Sequence, residues 1–244
     1  MPPEKQIMTI QDFGLGFSRV ETVQVWIGVA VMTFAFAIAY IGGARNLDFY
    51  FRLGGGLLVL LVLTGSFVAV VTAFFLHEVA HKAVAQRYGA VAEYRYSPTG
   101  LLVGLVTAAI GWMLAIPGAV VISGRITPRH QVRISVAGPA ANLAFAAVFI
   151  GLSVALGTTP GRFREPVPIF IGTLAFVNLF LAGFNLIPVP PITFHRMIAG
   201  RLPVNVTLPA SDGFLILVPS KVVWATSVVA LLALGIGGRI LAVF

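Results

Sequence analysis

Five stretches of the chain carry few or no charged side chains: residues 22–44, 54–76, 136–157, 167–187 and 220–238. Each is close to the roughly 20 residues a helix needs to cross about 30 Å of hydrocarbon. A sixth apolar stretch, 100–124, is ambiguous between crossing and turning back. The second stretch outruns its lipid length. No ionisable residue lies between Leu53 and Leu76, and LHEVAHKAVAQRYG then follows with nothing to break a helix before Gly89. At the helical rise per residue, His77 lies about 35 Å along from Leu53, near the far interface. Residues 117–137 read differently. PGAVVISGRITPRHQVRISVAG holds β-branched residues in short runs, with Gly124 and the pair Thr127, Pro128 between them, which predicts a hairpin. Non-helical backbone at membrane depth must be covered by protein or water. The hairpin is therefore expected to line a cavity or lie at the interface.

Composition agrees with a lipid solvent. Over 244 residues, 58% are hydrophobic and 10% charged, and the mean hydropathy is +0.98. The first 20 residues include Glu4, Lys5, Asp12 and Arg19 and have no apolar core of a leader peptide, so the first span is expected to be retained. No repeat, linker or long polar segment divides the chain, which predicts one polytopic domain over 1–244. The net charge of +8 raises the question of nucleic acid. Stacking aromatics interleaved with Lys and Arg are absent from the loops, however, and basic loops suit cytoplasmic membrane faces and anionic headgroups. No nucleic-acid partner is expected. With no cysteine in the chain, disulfides and thiolate metal sites are excluded, and any metal must be held by His, Asp or Glu.

The placement of charge bears on residues 100–117. With the N-terminus inside and this segment re-entrant, 11 of the 16 Lys and Arg fall on the inner side; if it crosses, the two sides carry equal numbers. The positive-inside rule favours the re-entrant form. It also brings the inner ends of 54–76 and 167–187 to the same side, which a shared metal site requires.

HEVAH, His77 to His81, carries the chemistry. His77 and His81 are four apart on a helix and so share a face on which two imidazoles can bind one zinc ion, while Glu78 can reach an activated water without ligating. Three protein ligands leave a fourth position open, and a nearby carboxylate can accept a proton and later return it to the leaving amine. Ionisable side chains clustered after an apolar run are costly in a membrane unless paired or metal-bound. The third ligand must lie elsewhere. After Lys82 the acids and histidines are Glu93, His130, Glu165, His195 and Asp212. Glu165 falls on the outer side, and Glu93 and His130 fall in loops. His195 and Asp212 remain.

At these residues the chain resembles the site-2 protease family of intramembrane zinc metalloproteases, particularly its compact prokaryotic members. HEVAHKAVAQRYG is similar to the family's zinc helix, AGPAAN at 137–142 to its Gly-Pro-x-x-Asn segment, and FNLIPVPP at 184–191 to the start of its Asn-Pro-Asp-Gly motif. The family's pattern continues directly into Leu-Asp-Gly, with Asp as third ligand, whereas Thr193 stands at that position here. SDGFLILVPSKVVW at 211–224 resembles the missing continuation. The resemblance then implies an insertion over 192–211 and Asp212 as the third zinc ligand. His195 as ligand, or no third protein ligand, remain alternatives.

The resemblance further implies that Asn142 and Asn185 face the site as substrate or oxyanion contacts. Asn178 shares a helix with Asn185, and packing roles suit all three equally. The expectation is an all-α membrane protein of about five to six transmembrane helices with a small membrane-associated β-hairpin or re-entrant segment. It would use Zn2+ on His77, His81 and Asp212, with Glu78 as general base, to cut transmembrane segments of protein substrates in the lipid bilayer. The cell membrane is the expected location, with the active site towards the cytoplasm. A strand edge near the zinc could pair with an unwound substrate segment. The rival classes are a catalytically inactive scaffold and a metal-ion transporter. The latter calls for repeats and broken helices at the midplane, and the sequence contains no such repeat.

Overall fold

The computed structural model describes residues 15–114, 116–156, 166–188, 192–198, 202–208 and 211–243, with backbone alone for the two segments between 192 and 208. The first helix, α1 (Arg19–Tyr40), opens with a capping box: Ser18 Oγ accepts the Glu21 N–H at 3.1 Å, and the Glu21 carboxylate accepts the Ser18 N–H at 3.4 Å. After a short turn come α2 (Leu47–Val70), one wider π turn (Val71–Phe75) and α3 (Leu76–Arg87). From Gly56 to Arg87 these form one continuous rod, as the absence of a breaker between Leu76 and Gly89 predicts. Gly55, at φ 59°, kinks α2 just before it, a conformation that a side chain would oppose.

A strand, β1 (Val91–Tyr96), leads into α4 (Pro98–Ala109), and the chain returns as β2 (Gly118–Ser123), antiparallel to β1. Twelve residues of α4 span about 18 Å, too short to cross. The ends of the segment that holds it meet, since Tyr96 is the cross-strand partner of Gly118 and the Ser97 N–H donates to the Pro117 carbonyl at 2.9 Å. The segment between the strands therefore turns back on itself. The hairpin expected within 117–137 is corrected here. Residues 118–123 are a strand, but their partner is 91–96, and Thr127, Pro128 are no turn. Thr127 Oγ1 caps the His130 N–H at 3.2 Å and Pro128 takes the first helical position of α5 (Pro128–Ala155). The same helix contains AGPAAN. Gly138 and Pro139 lie inside α5, where a membrane helix tolerates proline.

Helix α6 (Pro166–Leu186) is followed by an antiparallel pair, β3 (Ile192–Ile198) and β4 (Leu202–Leu208), then by the short α7 (Asp212–Leu217) and by α8 (Lys221–Val243). Among the described residues, three helices are long and apolar enough to cross a membrane: Arg19–Tyr40, Ala44–Arg87 and Pro128–Ala155. The shorter apolar runs Phe170–Leu186 and Lys221–Leu234 belong to α6 and α8. Set against the expected five to six spans, three are present by this measure. The chain is thus a predominantly helical membrane protein with two small antiparallel pairs.

Helix faces that point outward are as apolar as those inside. Leu57, Leu60, Val148, Phe176 and Val229 are all exposed, a pattern that suits lipid. Inside, small residues bring helices close: Ala69 and Ala73 pack on Leu174 and Val177, and Gly65 lies against the Phe170 ring. Val25, Val29 and Met32 of α1 pack with Val70, Leu101 and Tyr94, tying α1 to the ribbon formed by β1 and β2. Of the residues weighed in the sequence, Glu4, Lys5, Asp12 and Glu165 lie outside the described residues, as do the side chains of Thr193 and His195.

Candidate metal centre

Helix α3 begins one residue before His77, directly after the π turn, and presents His77 and His81 on one face, both buried. Each ring is oriented through its Nδ1. His77 Nδ1 lies 2.5 Å from Asn142 Oδ1, and His81 Nδ1 lies 2.6 Å from the Ile134 carbonyl oxygen, both on α5. The Ile134 carbonyl can only accept. Asn142 Oδ1 must also accept, because its Nδ2 donates to the Ala73 carbonyl at 2.9 Å and to Asn178 Oδ1 at 3.1 Å. Both imidazoles therefore carry their proton on Nδ1 and point a lone pair from Nε2. The two Nε2 atoms face each other at 3.0 Å.

Asp212 completes the group. Ser211 caps α7 by accepting the Phe214 N–H at 3.2 Å, and Ile216 of the same helix packs fully buried against Val132 and Leu186. This sets Asp212 Oδ2 at 3.4 Å from His77 Nε2 and 3.3 Å from His81 Nε2. Burial on its own would raise the Asp212 carboxyl. A proton added to the histidine pair outweighs burial, through its charge on His81 and the hydrogen bonds it gives the carboxylate, and holds Asp212 down, to about 2.

Three lone-pair atoms converge with no hydrogen between them, which is stable only around a cation or an added proton. A tetrahedral zinc ion bound about 2.0–2.1 Å from each ligand would have neighbouring ligand atoms roughly 3.3 Å apart. The separations of 3.0, 3.3 and 3.4 Å fit that spacing. Gly138 also fits it. A Cβ there would collide with the Nε2 atoms of both histidines, so only glycine leaves room for rings and ion.

The interruption of the motif at Thr193 is resolved by the hairpin of β3 and β4. Ile192 pairs with Leu208, so the chain leaves and returns side by side, and Ser211 Oγ donates to the Ile187 carbonyl at 2.5 Å across the insertion. Asp212 thereby reaches the histidines. Glu93 pairs instead with Arg95 on β1, and the His130 ring stacks on Tyr88 at 4.0 Å between centroids. Neither joins the metal group.

Glu78 faces the ribbon. Its Oε2 accepts the Val120 N–H of β2 at 2.9 Å. A cavity of about 130 Å³ opens beside it, lined by His77, Glu78, Tyr94, Pro117, Gly118 and Asn185 among others. Burial pushes the Tyr94 phenol above the usual tyrosine range, so its hydroxyl keeps its proton and donates to the Pro117 carbonyl at 3.2 Å. Asn185 donates Nδ2 to Leu181 within its own helix at 2.9 Å and lies on the cavity wall.

For Asn142 the sequence leaves a substrate contact and a packing role open. It is fully buried behind His77 with its oxygen and its amide nitrogen engaged, so it orients the ring. Asn178 continues this network to Thr72 Oγ1 at 3.2 Å. Sequence reasoning missed the Ile134 carbonyl, the Val120 amide and the steric reason for Gly138. A glycine four residues before Asn142 on one helix is the sole signal for the last.

Fold and site define a class: a polytopic membrane protein with a buried His, His, Asp metal group and a neighbouring glutamate. The chain belongs to the site-2 protease-type family of zinc metalloproteases. It is 37% identical over 142 residues to "Putative zinc metalloprotease MJ0611" of Methanocaldococcus jannaschii, covering 57% of this chain and 71% of that one. It is 31% identical over 173 residues to "Putative zinc metalloprotease YwhC" of Bacillus subtilis, covering 61% of this chain and 76% of that one. A third relative, "Putative zinc metalloprotease Rip3" of Mycobacterium tuberculosis, is 34% identical over 140 residues, but these span 31% of its length. No family model and no solved structure matches the chain.

Proposed function

We propose that the protein is an intramembrane zinc endopeptidase that cleaves transmembrane segments of membrane proteins, in the cell membrane and with its active site towards the cytoplasm. The observation that carries this reading is the convergence of His77 Nε2, His81 Nε2 and Asp212 Oδ2 with both Nδ1 protons spent on α5. Zinc held there would polarise a peptide carbonyl and acidify a water molecule. With zinc bound, Glu78 would serve as the general base, holding a proton on its carboxylate and giving it to the leaving amine. Asn142 and the Ile134 carbonyl hold the imidazoles in the ligating tautomer, while Gly138 keeps their face clear. Asn185, on the cavity wall, is positioned to meet a substrate carbonyl.

The substrate would enter as extended backbone. Among the described residues β2 has a strand partner on one side only, so its outer edge, beyond the Val120 N–H that Glu78 holds, can accept another strand. The excess of basic residues on the inner side supports the cytoplasmic orientation, and the re-entrant α4 is the form that count requires.

The test is zinc content and cleavage of an internally quenched transmembrane peptide by purified protein. Unmodified protein should bind zinc and cleave. Asp212→Ala should lose both, and Glu78→Ala should keep zinc while cleavage falls about a hundred- to ten-thousandfold. Full zinc and activity in Asp212→Ala would remove it as a ligand. Zinc without cleavage in the unmodified protein would mark an inactive scaffold, and absence of zinc would end the protease reading.

A further inference from the structure

Lys82 follows His81 on α3 and is 1% exposed, yet it has no place in the metal centre. Its ammonium pairs with Oε2 of Glu21, which is 0% exposed in the first turn of α1. The other oxygen of that carboxylate, Oε1, accepts the Tyr94 backbone N–H at 2.8 Å. The Lys82 nitrogen also stands 4.2 Å from the centroid of the Phe17 ring. One carboxylate therefore joins the start of α1, the metal-binding helix and strand β1.

Stability is a poor explanation for this arrangement. Two buried charges gain little over a well-packed apolar pair, because the desolvation penalty offsets their attraction. What the arrangement does achieve is a fixed spacing between α3 and the ribbon. Tyr94 and Val120 are cross-strand partners. The Tyr94 N–H goes to Glu21 and not to its partner, so this is a pair whose N–H groups point outward from opposite edges. The outward N–H of Val120 is the one that holds Glu78. Glu21 and Glu78 thus grip the same cross-strand pair from its two sides. Gln24, on the same helix as Glu21, accepts the Tyr96 N–H at 3.2 Å, so α1 grips β1 at alternate residues.

We propose that Glu21 is a positioning residue for Glu78: by bridging Lys82 and the Tyr94 amide it fixes the ribbon against α3, and so fixes the Val120 amide that aims the general base. The proposal rests on the protease reading for its consequence in catalysis. Its geometric part stands independently of that reading.

The test uses two variants of the full-length protein. Glu21→Gln combined with Lys82→Met removes both charges at nearly constant volume. Glu21→Asp keeps the charge but shortens the reach, so that one carboxylate cannot serve both Lys82 and Tyr94. The measurements are zinc content, kcat and KM on the quenched transmembrane peptide, and hydrogen exchange of the Val120 amide. The expected result for both is full zinc, KM within about twofold, kcat lower by about ten- to a hundredfold as for other supporting residues of a metal site, and faster exchange at Val120. A folded double variant with unchanged kcat and unchanged Val120 protection would overturn the proposal, as would loss of zinc in both variants. If the unmodified protein neither binds zinc nor cleaves, the protease reading fails separately, and exchange at Val120 still decides whether Glu21 holds the ribbon.

Discussion

Two buried polar clusters sit on α3 within a turn of each other, and they are built on opposite principles. Lys82 and Glu21 bring together a cation and an anion, with an amide for the remaining oxygen, so the cluster is complete as it stands. His77, His81 and Asp212 bring together three acceptors, having used their ring protons elsewhere. Burial of polar atoms is common to both, so burial by itself does not mark a binding site. What distinguishes them is the sign of what is left over. The first cluster neutralises itself and serves to locate the ribbon, whereas the second is incomplete without a cation.

The contrast can be broken most severely at Gly138. Gly138→Ala should abolish zinc binding and cleavage, because the new methyl group occupies the space of both Nε2 atoms. The methyl group must displace the two rings in the metal-free protein as well, an overpacking cost of about 1–3 kcal/mol against the about 1 kcal/mol by which alanine favours a helix over glycine, so its thermal unfolding should fall modestly at most. A variant that retained zinc would show that the rings stand elsewhere. At the self-neutralising cluster, Lys82→Met alone should destabilise by about 3–5 kcal/mol, since it strands a buried carboxylate. The double variant with Glu21→Gln should recover most of that loss in a denaturant titration. If the single and double variants unfold alike, the pair is not coupled.

Smaller effects sharpen the comparison. Asn142→Leu leaves the His77 Nδ1 proton without an acceptor and should weaken zinc affinity about ten- to a hundredfold in a competition titration with a chelator, while leaving the Lys82 cluster untouched. Ser211→Ala removes the cap of α7 and should cost about 1 kcal/mol, read as a modest loss of zinc affinity because Asp212 opens that helix. An unaltered affinity in Ser211→Ala would mean that packing of Ile216 alone sets the carboxylate.

Local signals made the metal helix legible in the sequence. Two histidines at helical spacing, an apolar run before them and no breaker before Gly89 are all read within one segment. Asp212 was legible only across an interruption, and the ends of an antiparallel hairpin lie together whatever its length, which brings this carboxylate beside the histidines. The ribbon was half legible. The β-branched run 118–123 announced a strand, but its partner at 91–96 lies beyond α4, and no local pattern encodes pairing at that distance. Thr127 and Pro128 misled because a cap followed by proline begins a helix as readily as it makes a turn. The partner of Lys82, 61 residues away, is a tertiary fact with no counterpart in spacing.

The outer edge of β2 has a consequence for products. A strand offers its outward N–H groups at every second residue, and a neighbour that slips by one residue turns every side chain to the opposite face. On the proposed function, an extended segment lying along that edge would shift past the metal group only in steps of two. Where a substrate is cut at more than one bond, the peptide masses should fall into a ladder whose rungs are two residues apart, with the odd positions sparse.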